Sequence, residues 1–436
     1  MASDGVSAYN GAWQKVFDKY SIPALVAEQG FADVTADQLR EFREPRLLTK
    51  MDHSHQLPKV FEENKLTILT RGISTFRIGA FEVYRDLPEW TVPAGDVENL
   101  SLPAYIETLD TTNITGEPAA LNAAHAAGIM DRFCGEEVIL TVSGRMRTGA
   151  FSFSVNDTVR GKAEIPVAGA QIEIDGAFEG KDAFTIVEVK NHLSKDFLVR
   201  QLYYPFRALR EKAHKPTRTV FLTLANDVYD LHEFDFVDPF DYSSATLTRH
   251  KRYTIGVTPP TEAEVVEQAK KVLQAAPSSK RSDIPFPQAD DFERVMDLVS
   301  YLSEKPRTAD DLAVSYAFDI RQSSYYANAA RYLGLADYVQ VGSRREWRTT
   351  PLADEILALP YRDKNLRFAA LALSISPVAE TYFEWVRDGS RPTVERVAEM
   401  FSKHPDGEHL APSTQLRRSQ TILSWATWLR QIAPSK

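Results

Sequence analysis

What the chain lacks narrows it first. Cys134 is the only cysteine among 436 residues, which excludes an intramolecular disulfide framework and any cysteine-rich zinc site. No run approaches the roughly 20 apolar residues of a membrane-spanning helix. The opening MASDGVSAYNGAWQKVF has none of the basic-then-apolar order of a secretory signal. These absences point to a cytoplasmic protein with no membrane partner. There is also no Gly-rich phosphate loop, no nucleophile elbow and no HExxH helix, so ATP-driven, serine-hydrolase and zincin chemistries lose support. An excess of positive charge is missing too: the formal net charge is −9, which argues against an indiscriminate basic nucleic-acid binder. A local basic face is still permitted, because distant charges are screened.

What is present suits a soluble globular chain, with 43% hydrophobic and 25% charged residues. The length implies two to three domains. AAPSSKRSDIPFPQAD, near 275–290, mixes Pro, Ser and charge without apolar periodicity and reads as a linker. SLPAYIETLDTTNITG, around 101–116, carries turn and cap signals. The expected division is 1–110, 111–270 and 288–436.

In the middle segment a helix is predicted over roughly Glu117–Phe133, with Pro118 acceptable in its first turn. Strand-like runs follow at EVILTVSG, GAFSFSV, AQIEIDGAF and FTIVEVK. SKDFLVRQLYYPFRALREKAH then has the apolar spacing of an amphipathic helix, with Ser194 as N-cap and Pro205 expected to kink or shorten it. TRTVFLTLAN supplies a last strand, giving a mixed α/β layer arrangement.

Three charged residues stand out within these strands. Alternation places Glu188 and Lys190 on one face of FTIVEVK, and Asp175 lies on the strand before. A carboxylate and an ammonium in a sheet core are costly unless they pair, meet water or bind an ion. The bland alternative is a turn starting at Asp175-Gly176 and a solvated Glu188–Lys190 pair of little energetic value.

Asp175, a hairpin and then Glu188-Val189-Lys190 resemble the PD-(D/E)XK nuclease superfamily, whose core runs αβββαβ. The following helix, with RQLYYPFR, strengthens the resemblance through Gln201 and Tyr203 or Tyr204. So does its wider extent over residues 35–260, where REPRLLTKMDHSHQLPKVFEENKLTIL, FRIGAFEVY and GRMRTGAFSFSV look like a group of type II restriction endonucleases. The Pro that usually precedes the first Asp is absent; EID stands there and leaves Glu173 and Asp175 as alternative ligands, with Asp175 preferred. The resemblance implies a DNA endonuclease that uses Mg²⁺ and needs no ATP. Asp175, Glu188 and the Val189 carbonyl would hold the ion, Lys190 would orient water or stabilise developing charge, and Gln201 would adjoin the site. Glu117 is a further candidate ligand, although a first-turn acid facing the helix dipole explains it equally. Double-stranded DNA is the implied substrate. A homodimer follows from the need to cut both strands, and a cognate DNA methyltransferase encoded nearby is expected.

DNA contacts are expected in three places. The helix and its exit offer Arg200, Tyr204, Arg207, Arg210, Lys212, Lys215 and Arg218 close to the site; REPRLLTKMD offers Arg43, Arg46 and Lys50. The third is the C-terminal segment. There FERVMDLVSYLSEKP reads as a helix, TADDLAVSYA as a helix capped by Thr308, and IRQSSYYANAARYLGLADY as a helix ending near Gly334. VQVGSRREWRTT then alternates as a hairpin with Gly342 at its tip. This order resembles a winged helix, which implies Arg321, Gln322, Ser323 and Tyr325 at the groove and Arg344 and Arg345 on the wing. A winged helix used for protein contact is the competing reading. RPTVERVAEMF and QLRRSQTILSWATWLRQI are read as a second helical unit. His53 and His55 lack a partner motif and read as a solvated loop, and His125 reads as a packed helix histidine. Two other functions remain open on these residues: a repair or recombination nuclease, and a DNA-binding regulator that does not cut.

Overall fold

The computed structural model describes residues 3–88, 97–111, 114, 116–274, 284–309, 311–312, 320–341 and 344–433. The fold is mixed α+β with a helical C-terminal region. Its centre is a seven-stranded sheet in the spatial order Val97–Leu100, Ala245–Ile255, Val228–Phe236, Thr217–Ala225, Phe184–Lys190, Gln171–Gly180 and Val138–Arg147. In chain order, helices Glu117–Ala126 and Ile129–Cys134 lead into the antiparallel strands 138–147, 171–180 and 184–190. Helix Arg200–Arg210 then crosses over to 217–225, which lies parallel to 184–190. Phe184–Lys190 is buried at every position because helices cover both of its faces. Val187, Val189 and Leu222 pack toward the Glu117 helix. Ile186 and Phe221 pack toward Leu202, Tyr203 and Phe206 of the other.

Several local expectations change. Gly128, in the left-handed region at φ 76°, splits the predicted 117–133 helix in two. GKAEIPVA is a strand, Gly161–Ala168, that forms a hairpin with Ala150–Asp157 beside the main sheet. Ser194 caps nothing: Asp196–Leu198 is extended and pairs with Tyr84–Asp86, so the helix begins at Arg200 after Val199. Pro205 does not end that helix, which runs on to Arg210. Its missing N–H costs only the bond to the Gln201 carbonyl, one turn from the helix start.

The N-terminal region forms its own small core, in which Trp13, Phe17 and Phe61 stack edge to face beneath the sheet 31–35, 75–79 and 67–70. The C-terminal region has one core, not two: Phe292, Phe368, Phe401 and Trp425 belong to the same cluster. The helix Glu262–Gln274 joins it too, through buried Val265 and the Glu262–Arg430 pair at 2.7 Å. The structural junction therefore precedes residue 262, ahead of the 270 expected. Within this region the strands order as 307–308, 344–349 and 336–341, with helix Ile320–Tyr332 ahead of the hairpin. Thr308 does cap: its Oγ1 accepts from the Asp311 amide, and its own amide donates to the Asp311 carboxylate. Residues 310 and 313–317 of TADDLAVSYA, residues 275–283 of the linker and the Gly342 tip lie outside the described residues.

Candidate active site

The ladder between 171–180 and 184–190 stops at Val187–Gly176, and beyond that pair the strands fork. The Val189 amide, left without a ladder partner on that side, donates instead to Asp175 Oδ2 at 2.7 Å. Gly176 is not a turn residue here. A Cβ on it would lie 2.5 Å from Leu121 Cδ2, so glycine permits the helix carrying Glu117 to close on the sheet. That closeness brings Glu117 Oε1 to 3.3 Å from Lys190 Nζ. Lys190 also donates to Glu188 Oε1 at 2.6 Å and to the Val189 carbonyl at 3.0 Å. From the other face, Gln201 Nε2 donates to Glu188 Oε1 at 2.5 Å, while buried Gln201 Oε1 has no partner.

Asp175, Glu188, Val189, Lys190, Gln201 and Glu117 thus converge from two strands and two helices. Glu173 does not: it is exposed on the strand edge and pairs with Arg145 at 3.4 Å. Of the two candidate ligands, Asp175 is the one that reaches the Val189 amide beside Glu188 and Lys190.

The electrostatics are those of crowded acids around one cation. Burial pushes the Glu188 carboxyl up to about 8, against the attraction of Lys190 and with further upward pressure from Asp175. Burial raises Asp175 as well, opposed by Lys190 and the Val189 amide. Burial also works against the Lys190 ammonium, but Glu188, Glu117, Asp175 and Asp52 outweigh it and hold it above the ordinary lysine value. Every donor atom within the cluster that could take an ion is oxygen.

The expected DNA-contacting residues divide sharply. Arg46 and Lys50 are exposed, on a segment fastened to the site's edge where Leu198 N donates to Asp52 O at 2.8 Å. Arg200 is partly exposed at the helix start. Tyr204 and Arg207 are not surface groups. Tyr204 is fully buried and donates to Thr70 O at 2.5 Å; Arg207, 8% exposed, donates to Ser152 O and to the Tyr203 hydroxyl at 3.0 Å each. Both face the aromatic core because the helix turns that side inward, which removes them as DNA contacts. Lys215 and Arg218 flank the opposite end of the sheet, where Thr217 pairs with Phe184, and are engaged by Glu179 at 2.9 Å and the Cys134 carbonyl at 3.0 Å. In the C-terminal region Tyr325 is exposed, and Arg345 is exposed and stacks on Tyr338 at 4.4 Å. The side chains of Arg321, Gln322, Ser323 and Arg344 lie outside the described residues.

The loop after Lys190 joins the regions. Leu193 N donates to Asp297 Oδ2 at 3.1 Å, and Asn226 Nδ2 donates to the Glu293 carboxylate, so helix Phe292–Glu304 sits against the site's end of the sheet. A cleft of about 1120 Å³ opens between them, with Ser194, Thr223, Asp230, Arg294 and Tyr325 on its walls. His53 is not in a solvated loop: it is buried, its Nδ1 lies 2.6 Å from the Asp196 carbonyl, and its ring stacks on His55 and meets His192 edge-on. His125 does pack, against Phe178 at 5.0 Å. One cluster had no expectation attached to it: Asp230, His232 and His250 come together on neighbouring strands. Its only sequence signal is the alternation in DLH and HKR.

Three family models match the chain, each described as a domain of unknown function: DUF6996 over residues 10–78, DUF6997 over 79–254 and DUF7226 over 294–433. Their seams follow the N-terminal core, the main sheet and the helical region. No curated protein and no solved structure matches the chain.

Proposed function

We propose that this protein is a Mg²⁺-dependent DNA endonuclease of the type II restriction class, built on a PD-(D/E)XK core and carrying a winged-helix recognition region. The observation that carries the reading is the strand fork at Val187–Gly176, where Asp175, Glu188 and Lys190 meet Glu117 and Gln201. The αβββαβ order of the core supports it, as does the short strand 307–308 paired with the C-terminal hairpin.

The donor set fits a hard, oxygen-seeking ion. Asp175, Glu188 and the Val189 carbonyl would hold it, with Glu117 beside them. When bound, Mg²⁺ supplies an activated water and neutralises charge on the scissile phosphate. The remaining work belongs to the chain. Lys190 donates to Glu188 and to the Val189 carbonyl, the oxygens that would hold the ion, so its ammonium stands where it would orient the attacking water or meet the phosphate. Gln201 orients Glu188 through its Nε2. Arg46, Lys50 and Arg200 line the approach for backbone phosphates, and Tyr325, Arg345 and the start of helix 320–332 are the recognition candidates. Two chains acting together account for cutting both strands, and a neighbouring DNA methyltransferase accounts for the host's protection.

Purified protein incubated with Mg²⁺ and long unmethylated DNA is expected to give discrete fragments. Nicks confined to branched or damaged DNA would instead identify a repair nuclease, and retarded but intact DNA a regulator. Substituting both Arg321 and Gln322 by Ala is expected to relax sequence selectivity; an unaltered fragment pattern removes the C-terminal region from recognition.

A further inference from the structure

We infer a second, chemically different metal site on the same sheet face, formed by Asp230, His232 and His250 and suited to a Zn²⁺-class ion. Strands 228–236 and 245–255 are antiparallel, and His232 pairs directly with His250 while Asp230 pairs with Arg252. Side chains of directly paired residues share a face, so all four project together. One ligand atom from each of Asp230, His232 and His250 lies within 4.8 Å of the others. His250 Nε2 engages Asp230 Oδ1, His232 Nε2 stands 3.8 Å from Asp230 Oδ2, and the two imidazoles stack at 4.3 Å.

The second observation is His232 itself. It is 3% exposed, and neither ring nitrogen has a hydrogen-bond partner. A buried polar group left unmet is costly, and an ion bound at a ring nitrogen satisfies it.

The surroundings select among ions. Arg252 Nε lies 3.3 Å from Asp230 Oδ2 and offsets the single carboxylate. That leaves little charge to attract Mg²⁺ or Ca²⁺, which rely on several oxygens, whereas two imidazoles favour Zn²⁺ and its neighbours. Asp230 and His232 border the cleft beside helix 292–304, which gives an ion a way in. Glu188 is separated from His232 by Phe221 on the intervening strand. Two strand spacings make that roughly 10 Å, too far for one binuclear centre.

The test uses the full chain stripped with chelator and titrated with Co²⁺ or Zn²⁺ alone. One equivalent is expected to bind, giving the visible absorption of tetrahedral Co²⁺ and a rise in melting temperature with Zn²⁺. His250→Ala, at the partly exposed position, and His232→Ala are each expected to weaken binding at least ~10-fold. The melting temperature of the metal-free variants, measured alongside, separates lost ligation from lost folding. A Glu188→Gln chain should keep the signal, and millimolar Mg²⁺ should not displace the ion. The inference is overturned by a wild-type chain that shows no Co²⁺ or Zn²⁺ response, by an unchanged response in folded His250→Ala, or by loss of the response in Glu188→Gln. None of these outcomes depends on DNA cleavage.

Discussion

Two polar clusters share one face of the same sheet, and they are built on opposite principles. Around Lys190, the acids Asp175, Glu188 and Glu117 crowd a single cation, and burial pushes Glu188 up to about 8. Around Asp230, one carboxylate is surrounded by Arg252, His232 and His250; burial works against it, but these partners outweigh burial and hold it below the ordinary aspartate value. The first arrangement is under-neutralised, as a site that receives a dication and a polyanion should be. In the second the lone carboxylate is balanced by Arg252, and what is left unmet is the His232 ring rather than charge. Burial alone does not distinguish them; the ratio of acids to cations does.

The largest expected effect lies in the first cluster. Lys190→Ala is expected to lower Mg²⁺-dependent DNA cleavage by roughly 10²–10⁴-fold with DNA binding retained, a loss typical of removing a positioned proton donor or charge stabiliser. Gel-shift and single-turnover cleavage assays separate the two readouts, and unchanged cleavage sinks the site assignment.

Stability should then respond with opposite signs. Asp230→Asn leaves Arg252 without its buried counter-charge and is expected to cost about 3 kcal/mol in denaturant unfolding. Glu188→Gln removes a disfavoured charge and is expected to leave the metal-free protein at least as stable, with an advantage that grows from about pH 4.5 to about pH 8. Equal losses in both would erase the contrast.

The pH dependence sharpens it further. Glu188 keeps its proton up to about pH 8 in the folded chain but releases it near 4.5 when unfolded. The folded state therefore holds more protons across that window, and stability falls as pH rises through it. The loss should be on the order of 1–3 kcal/mol in chelator and should vanish in Glu188→Gln. Asp230 behaves conversely: its contribution is present above the ordinary value of 3.8 and is lost as pH falls through its lower folded value. Urea titrations from about pH 2 to 9 test both slopes.

The smallest effect belongs to Glu173. Its exposed pair with Arg145 is worth at most about 0.5 kcal/mol. Glu173→Gln should leave both melting and cleavage unchanged; a loss of cleavage would transfer the ligand role from Asp175 to Glu173.

Much of the first cluster was legible in the chain because strand alternation and local spacing carry it. Asp175, Glu188, Lys190 and Gln201 lie within one strand–turn–strand–helix stretch, and period-two and period-3.6 patterns place them on facing sides. Tyr204 and Arg207 were misread for the complementary reason. Amphipathic spacing says that a helix has two sides, but only packing against Phe151 and Phe153 decides that these residues are on the covered one. Ser194 and the 196–198 strand failed likewise, since the partner strand 84–86 is remote in sequence.

The residue order thus determined most of the element types, the run from helix through strands to helix and strand around the site, the identity of the acids and lysine at the strand ends, and the Thr308 cap. These depend on interactions between near neighbours. Tertiary structure alone decided that Asp175 rather than Glu173 enters the fork, that Gly176 admits Leu121 and so brings Glu117 to Lys190, and that Asp230, His232 and His250 meet. Each of those outcomes depends on cross-strand register or on the approach of a helix, and both are set by long-range packing rather than by local sequence.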